Sequence, residues 1–449
     1  MARLFGTDGV RGLANVDLTA PLALELGEAA ARLTIQGRPA SGHKPKAIIG
    51  RDTRISGEFL DHALAAGLAS AGMDVVRVGV VTTPTVAHLT ASSSVDLGVM
   101  ISASHNPMPD NGIKFFAHGG YKLPDQVEDQ IQELLNTSWD RPTGAAVGEV
   151  EYDDDWAEKS YIEHLMTSLG TDLHGLRIAV DCANGGASFL APEAFRQAGA
   201  DAVVINAAPD GRNINDKAGS THPEQLQALT VASEADFGVA YDGDADRCLA
   251  VDRDGNIVDG DKIMGALAVH MRDEGQLAKD TLVVTVMSNL GLILAMQEAG
   301  IKTVQTGVGD RYVLEAMLEG GYSLGGEQSG HIIAKKYATT GDGILSSLLL
   351  ARMVKESGRD LADLTSFIMR LPQTLINVGG VDRSRANTDP AVQEAVAAAE
   401  AVLGNTGRVL LRPSGTEPLV RVMVEAATQS QADGVASRLA DVVKENLAL

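Results

Sequence analysis

The chain reads as an α/β protein: three similar α/β domains with mostly parallel mixed sheets, plus a smaller α+β C-terminal domain, around one central cleft. Three observations predict that architecture. Short, continuously apolar runs of strand length alternate with stretches of helical spacing, as right-handed crossovers on a largely parallel sheet require. The order strand, helix, strand, helix, strand, loop occurs three times. Beyond residue 370 the order changes to strand, helix, hairpin, helix. At 449 residues the chain is also too long for one core, and length alone predicts about three to four domains.

The first repeat begins with the strand Ala47-Ile48-Ile49-Gly50, followed by a helical stretch from Gly57 to Ala71 and the strand Val75-Val76-Arg77-Val78. A helix then opens at Thr83-Pro84, with the Thr83 hydroxyl as cap and Pro84 at the first position. The strand Leu97-Gly98-Val99-Met100-Ile101 completes the unit. The second repeat runs through Arg177–Val180 (strand), Ser188–Ala198 (helix), Val203–Ile205 (strand), Pro223–Ser233 (helix) and Phe237–Tyr241 (strand). Even the residues echo: Asp96-Leu97-Gly98-Val99 and Asp236-Phe237-Gly238-Val239 enter equivalent strands. The third runs from Leu282–Val286 through a helix, Thr303–Gln305, a helix from Tyr312 to Leu318, and Tyr322-Ser323-Leu324. The acidic, weakly apolar Gly148–Asp155 marks the first joint. The remainder holds the strand Leu375–Val378, an Ala-rich helix Pro390–Leu403, a hairpin across Arg412–Pro418 and a helix Gln431–Leu447. The predicted domains are 1–152, 153–256, 257–370 and 371–449.

A net charge of −22 argues against nucleic acid or an anionic membrane surface as partner, but a few Arg and Lys converging on one cleft can still hold a phosphorylated small molecule. The start, Met1-Ala2-Arg3-Leu4-Phe5-Gly6, shows no apolar core of signal-peptide length and no run is long enough for a membrane span, so the expected compartment is the cytoplasm. Cys182 and Cys248 have no metal-type spacing and read as core residues without a disulfide. The 48 glycines favour tight turns and backbone-lined ligand loops.

Each repeat ends in a polar loop. Ser102-Ala103-Ser104-His105-Asn106-Pro107 follows a strand apolar on both faces, at the sheet edge where ligands of open α/β folds bind. Ser104 is therefore a candidate reactive hydroxyl; the alternative is a turn whose Ser and Asn only cap backbone groups. Asp242-Gly243-Asp244-Ala245-Asp246-Arg247 places three alternating carboxylates after a buried strand, which repel unless a cation sits between them, and hard oxygen donors suit Mg²⁺. An EF-hand would need Gly at its sixth and Glu at its twelfth position, where this chain has Arg247 and Arg253. A dehalogenase-type phosphatase signature breaks at Asp246, and a solvated acidic turn is the structural alternative. Arg247 is placed to meet charge on a transferred phosphoryl group. In Gly325-Gly326-Glu327-Gln328-Ser329-Gly330-His331, Glu327 and Ser329 point the same way in an extended loop and suit sugar hydroxyl or amine groups. The loop Arg412–Pro418, with Ser414, Gly415 and Thr416, and Arg421 on the return strand, suits an anion. Phe5-Gly6-Thr7-Asp8-Gly9-Val10-Arg11-Gly12 adds Arg11 as a further cation.

In this order the four loops resemble the signatures of the α-D-phosphohexomutase superfamily, and the resemblance covers essentially the whole chain. The opening Phe5–Gly12 run and Gln328 between Glu327 and Ser329 are similar to the bacterial phosphoglucosamine mutase branch more than to the phosphomannomutase/phosphoglucomutase branch. The resemblance implies an isomerase interconverting glucosamine 6-phosphate and glucosamine 1-phosphate through a phosphoserine and a 1,6-bisphosphate, feeding UDP-N-acetylglucosamine and cell-wall precursors. Ser104 would be phosphorylated and, with Asp242, Asp244 and Asp246, would hold one Mg²⁺ per chain; glucosamine 1,6-bisphosphate or a similar compound would serve as activator. Arg11, Lys114, His105, Arg247 and His331 would serve the reacting phosphate, with acid and base roles open. Glu327, Ser329 and Arg311, the last in Gly309-Asp310-Arg311-Tyr312, would hold the sugar; Asp310 alternatively caps the helix that follows. Arg412, Ser414, Gly415, Thr416 and Arg421 would hold the phosphate that does not react. The expected partner is a small sugar phosphate, with a homodimer as an open expectation. A mutase for glucose or mannose phosphate and a sugar phosphatase with Asp242 as nucleophile are the alternatives.

Overall fold

A computed structural model describes residues 3–6, 8–37, 44–153, 155–414 and 419–449. The described chain forms two compact units: 1–287 with 301–366, and 288–300 with 367–449.

The first unit contains three sheets. The first is built from β1 (Val10–Leu13), β2 (Lys46–Arg51), β3 (Asp74–Val80), β4 (Leu97–Ile101), β5 (Asp110–Ala117) and β6 (Val150–Tyr152), in the order β1-β5-β4-β2-β3-β6. Helices α1 (Ala20–Gly37), α2 (Ile55–Ser70), α3 (Thr83–Ser92) and α4 (Asp125–Leu134) connect or flank them. All five residues of β4 are buried, as an uninterrupted apolar run demands in a covered sheet. The second sheet follows α5 (Trp156–Leu169) and uses β7 (Arg177–Asp181), β8 (Asp201–Ile205), β9 (Phe237–Tyr241), β10 (Cys248–Asp252) and β11 (Ile257–Val258), in the order β11-β10-β9-β7-β8, with α6 (Ala187–Gln197) and α7 (Glu224–Ala232) between strands. After α8 (Gly260–Asp273) comes the third: β12 (Thr281–Thr285), β13 (Lys302–Thr306), β14 (Leu324–Gly326) and β15 (Ile332–Ala334), in the order β13-β12-β14-β15. Helix α9 (Leu290–Glu298) falls in the second unit, whereas α10 (Asp310–Gly320), α11 (Gly343–Ser357) and α12 (Leu361–Thr365) belong to the first.

The three sheets share a feature the apolar runs did not reveal. After three parallel strands, each adds an antiparallel strand straight after the polar loop: β5 on β4, β10 on β9 and β15 on β14. The three loops are therefore equivalent hairpin connections. Two local expectations are corrected. The cap of α3 is Thr82, whose hydroxyl accepts from the Thr85 amide, one residue before the predicted Thr83. Strand β14 starts at Leu324 and takes in Gly325 and Gly326, which had been placed in the loop.

The second unit packs α9, α13 (Pro390–Leu403) and α14 (Gln429–Leu447) with β16 (Gln373–Gly379), β17 (Arg408–Pro413) and β18 (Leu419–Glu425), which form an antiparallel sheet ordered β16-β18-β17. Asp389 caps α13 through the Ala391 and Val392 amides ahead of Pro390. Valines 420, 422 and 424 of β18 face Val435, Leu439 and Val443 of α14 in one buried cluster. Buried Glu425 accepts from the Leu290 amide at 3.0 Å and from Arg408 Nε at 2.7 Å, tying α9 to this sheet. No described helix is long and apolar enough to cross a membrane, and Cys182 and Cys248 are buried and free.

Candidate active site

Ser104 sits at the tip of the β4–β5 connection, 1% exposed, with φ of +51°, a left-handed value rare outside glycine. Such a conformation persists only where its surroundings over-determine it, and Arg54 supplies much of that constraint. This arginine has no exposed surface and donates to the carbonyls of Ser104 (2.9 Å), Asn106 (2.8 Å), Pro107 (2.5 Å) and Asp110 (3.1 Å), while Asp52 pairs with its Nε at 2.9 Å. Asp52 also accepts from Ser102 Oγ, which in turn accepts from the Ser104 amide. From the second domain, Asn215 Nδ2 donates to the Ser104 carbonyl at 2.8 Å. Arg54 and Asp52 were not singled out in the sequence, although a charged Arg51-Asp52-Thr53-Arg54 run directly after an apolar strand was a signal for them.

The Ser104 hydroxyl donates to Asp242 Oδ2. Gly243 permits that approach, because a Cβ there would lie 2.6 Å from the Ser104 carbonyl oxygen. Asp242, Asp244 and Asp246 are all buried, and one oxygen from each lies within 4.8 Å of the others. Asp244 Oδ2 accepts from Thr83 Oγ1 (2.6 Å) and pairs with Lys114 Nζ (2.9 Å), whereas Asp244 Oδ1 and Asp246 Oδ1 are buried with no hydrogen-bond partner. Burial, then the neighbouring Asp246 and Asp244 carboxylates, pushes the Asp242 carboxyl well above its ordinary range. Burial alone would raise Asp244 as well, but the Lys114 ammonium and the Thr83 hydroxyl outweigh it and hold that group low. Orphaned buried carboxylate oxygens of this kind fit a hard divalent cation such as Mg²⁺.

Cations surround the cluster. Lys114, 1% exposed on β5, also reaches Asp8 at 3.0 Å and Asp246 at 3.8 Å; burial opposes its charge, but Asp244 and Asp8 outweigh that and raise its pKa. Arg11 on β1 pairs with Asp8 and donates to the Ala103 carbonyl at 3.4 Å. Arg247 Nε stands 3.8 Å from Asp246, and Asp242 and Asp246 hold its guanidinium charged against the cost of burial. His105 Nδ1 lies 3.4 Å from Ser104 Oγ; burial, Arg247 and Arg11 lower that ring's pKa.

The third loop joins the second through a backbone bridge between Arg247 and His331. Gly330, at φ +92°, allows it, since a Cβ would lie 2.1 Å from the Cys248 carbonyl oxygen. His331 Nε2 accepts from the Gly341 amide at 3.2 Å, which assigns the proton to Nδ1, a buried atom with no protein partner. The loop is not extended as expected. The Gly330 amide donates to the Glu327 carbonyl, closing a tight turn that leaves Ser329 exposed and half-buries Glu327, whose Oε1 accepts from the Gly309 amide. Gln328 turns to the Asp259 cap of α8 at 3.3 Å. Arg311, expected beside the sugar loop, is engaged with the Leu123 carbonyl, Asp125 and Glu128. Its neighbour Asp310 takes the inner position, pairing with Lys122 at 2.5 Å. Thr83, Asp8, Lys122 and Asp310 complete the site from positions no single motif contains.

In the second unit Arg412 and Arg421 stand directly opposite on paired strands. Burial, then Arg421, lowers the Arg412 pKa. The Ser414 carbonyl accepts from Arg383 at 2.5 Å. Gly415 and Thr416 lie outside the described residues.

The four domain families described as phosphoglucomutase/phosphomannomutase domains I, II, III and IV match residues 2–141, 159–255, 259–371 and 375–442. Relatives named phosphoglucosamine mutase include one from Bifidobacterium animalis subsp. lactis, 61% identical over the full length of both chains. Another, from Streptomyces coelicolor, is 59% identical with the same coverage. Among solved structures, a phosphoglucomutase/phosphomannomutase family protein from Burkholderia thailandensis superposes with a TM-score of 0.82 at 26% identity, covering 99% of this chain and 97% of that one. The N-acetylphosphoglucosamine mutase of Aspergillus fumigatus, solved with GlcNAc-6P and magnesium, shares the fold at a TM-score of 0.70 and 20% identity, over 99% of this chain and 96% of that one. With four phosphoglucomutase/phosphomannomutase domains in order and full-length identity near 60%, the chain belongs to the phosphoglucosamine mutase family, a family of isomerases.

Proposed function

We propose that this chain interconverts glucosamine 6-phosphate and glucosamine 1-phosphate by passing a phosphoryl group through Ser104. The observation that carries the reading is the Ser104 hydroxyl donating to Asp242 inside a buried carboxylate cluster in which two oxygens accept no hydrogen bond, flanked by Lys114 and Arg247. Full-length relatives named for this reaction support the choice of sugar.

In the first transfer the bond from phosphorus to Ser104 Oγ breaks as one to O1 of glucosamine 6-phosphate forms, and the O1 proton leaves. The 1,6-bisphosphate then turns over, the bond to O6 breaks as one to Ser104 Oγ forms, and O6 takes up a proton. Little covalent work is asked of the protein beyond alignment and charge neutralisation. Mg²⁺ held by Asp242, Asp244 and Asp246 would supply Lewis-acid polarisation of a phosphoryl oxygen. Lys114, fixed between carboxylates, supplies positive charge rather than a mobile proton. Arg247 and Arg11 flank the position of the transferring group. His105 Nδ1 stands where a proton exchanged at Ser104 Oγ can be taken up, and His331 Nδ1–H is available to a substrate oxygen. Glu327 and Ser329 are assigned to the sugar, and Arg412, Ser414, Thr416 and Arg421 to the phosphate at rest. Ser104 must carry a phosphoryl group before the first turnover, with a trace of the 1,6-bisphosphate restoring enzyme that has lost it. The product fits UDP-N-acetylglucosamine synthesis.

The test is ³¹P NMR of the protein with Mg²⁺ and a trace of sugar 1,6-bisphosphate, comparing glucosamine 6-phosphate with glucose 6-phosphate. A 1-phosphate signal growing faster from the amino sugar is expected. Faster conversion of glucose 6-phosphate overturns the substrate, and inorganic phosphate alone overturns the mutase.

A further inference from the structure

We propose that Lys122 is a positioning residue that sets the spacing between the Ser104 loop and the Glu327 loop. The inference rests on the phosphoryl-transfer reading above. Lys122 follows β5, where a backbone bridge to Phe116 pins it, and its side chain is only 12% exposed. Its Nζ lies 2.6 Å from Asp8 Oδ1 on one side and 2.5 Å from Asp310 Oδ2 on the other.

Each of those carboxylates belongs to one half of the site. Asp8 pairs through Oδ2 with Lys114 and Arg11, the two cations that face the Ser104 loop and the acidic cluster. Asp310 opens α10 directly after Gly309, whose amide holds the Glu327 carboxylate, and its Oδ2 is 3.6 Å from His331 Nε2. The result is a largely buried series of alternating charge: Asp244, Lys114, Asp8, Lys122, Asp310. Burial weakens solvent screening, so each member is held by its neighbours more firmly than an exposed pair. Lys122 touches none of the groups assigned to the reacting phosphate. What it fixes is the distance between those that do, and a displacement of about 1 Å can cost about 10²-fold in rate.

Three variants separate positioning from charge balance: Lys122→Met, Asp310→Asn and the double. Removing the ammonium leaves Asp310 with the Arg311 amide and His331 but no lysine, whereas Asp8 keeps Lys114 and Arg11, so Lys122→Met should lower the melting temperature and the double should recover most of that loss. If the series acts as a unit, kcat falls about 30–100-fold in Lys122→Met and in Asp310→Asn. The double then falls no more than about threefold beyond Lys122→Met despite its recovered stability. A kcat that follows melting temperature across the three variants, or a Lys122→Met kcat within threefold of wild type, overturns the proposal. The wild type, run alongside, reports separately on the underlying reading: if it makes no glucosamine 1-phosphate, the reading itself fails.

Discussion

The acidic loop of the first unit and the hairpin of the second carry opposite electrostatic imbalances. In the first, three buried carboxylates crowd together, and Asp244 and Asp246 each keep an oxygen that accepts no hydrogen bond. In the second, Arg412 and Arg421 face each other across paired strands, an arrangement that costs a few tenths of a kcal/mol in an ordinary sheet. A bound cation would offset the first crowding and a bound anion the second. The lesson is that a site can be recognised from where like charges are gathered together.

The largest expected effect probes the first region. Ser104→Ala should lower turnover by at least about 10³-fold while far-ultraviolet circular dichroism stays unchanged, because one hydroxyl contributes little to a buried turn held by Arg54. Next comes Arg54→Met, which takes a buried donor from four loop carbonyls and the paired cation from Asp52. It should cost about 3–5 kcal/mol in denaturant unfolding, with activity lost alongside.

The comparison itself is sharpened by a matched pair. Asp244→Asn should raise the Mg²⁺ concentration for half-maximal activity about 10–100-fold with little change in KM for the sugar phosphate. Arg421→Ala should do the reverse, raising KM about 10–100-fold and leaving the metal titration in place. If either variant shifts both titrations equally, the division of labour between the two regions is broken.

The smallest effect comes from a pair outside both regions. His88 and His164 stack at 4.2 Å, and burial, then His164, lowers His88 to about 4. An unfolded histidine titrates near 6.5, so between these values the unfolded chain binds the extra proton. The stabilisation is fully present above about pH 6.5 and lost as pH falls toward 4. Partial exposure of the ring limits it to roughly 1–2 kcal/mol. His88→Gln should flatten the stability profile in that window, measured by urea unfolding at each pH.

The strands and helices of the repeats and the polar loops were legible because each is a contiguous run whose period or composition stands alone. Strand β4 reads directly from Leu97–Ile101, and α13 from the Ala-rich run Pro390–Leu403. The antiparallel strands β5, β10 and β15 were missed because their partner is the strand just before them, so no crossover signals them. At the site, Ser104 and the Asp triad are local motifs. Arg54, Thr83, Asp8, Lys122 and Asp310 come from five separate stretches and meet only after folding, so spacing cannot announce them. Whether Glu327 and Ser329 share a direction depends on the loop being extended, and the turn that Gly330 closes is a feature their spacing does not announce.

The most direct test of the central claim is a chase of the phosphorylated enzyme. Protein carrying ³²P on Ser104, confirmed by peptide mass, is mixed with Mg²⁺ and excess glucosamine 6-phosphate, and the products are separated within one turnover. The account predicts that label leaves as sugar bisphosphate and then appears in sugar monophosphate. Label released as inorganic phosphate, or retained on Ser104 while glucosamine 1-phosphate accumulates, would contradict it.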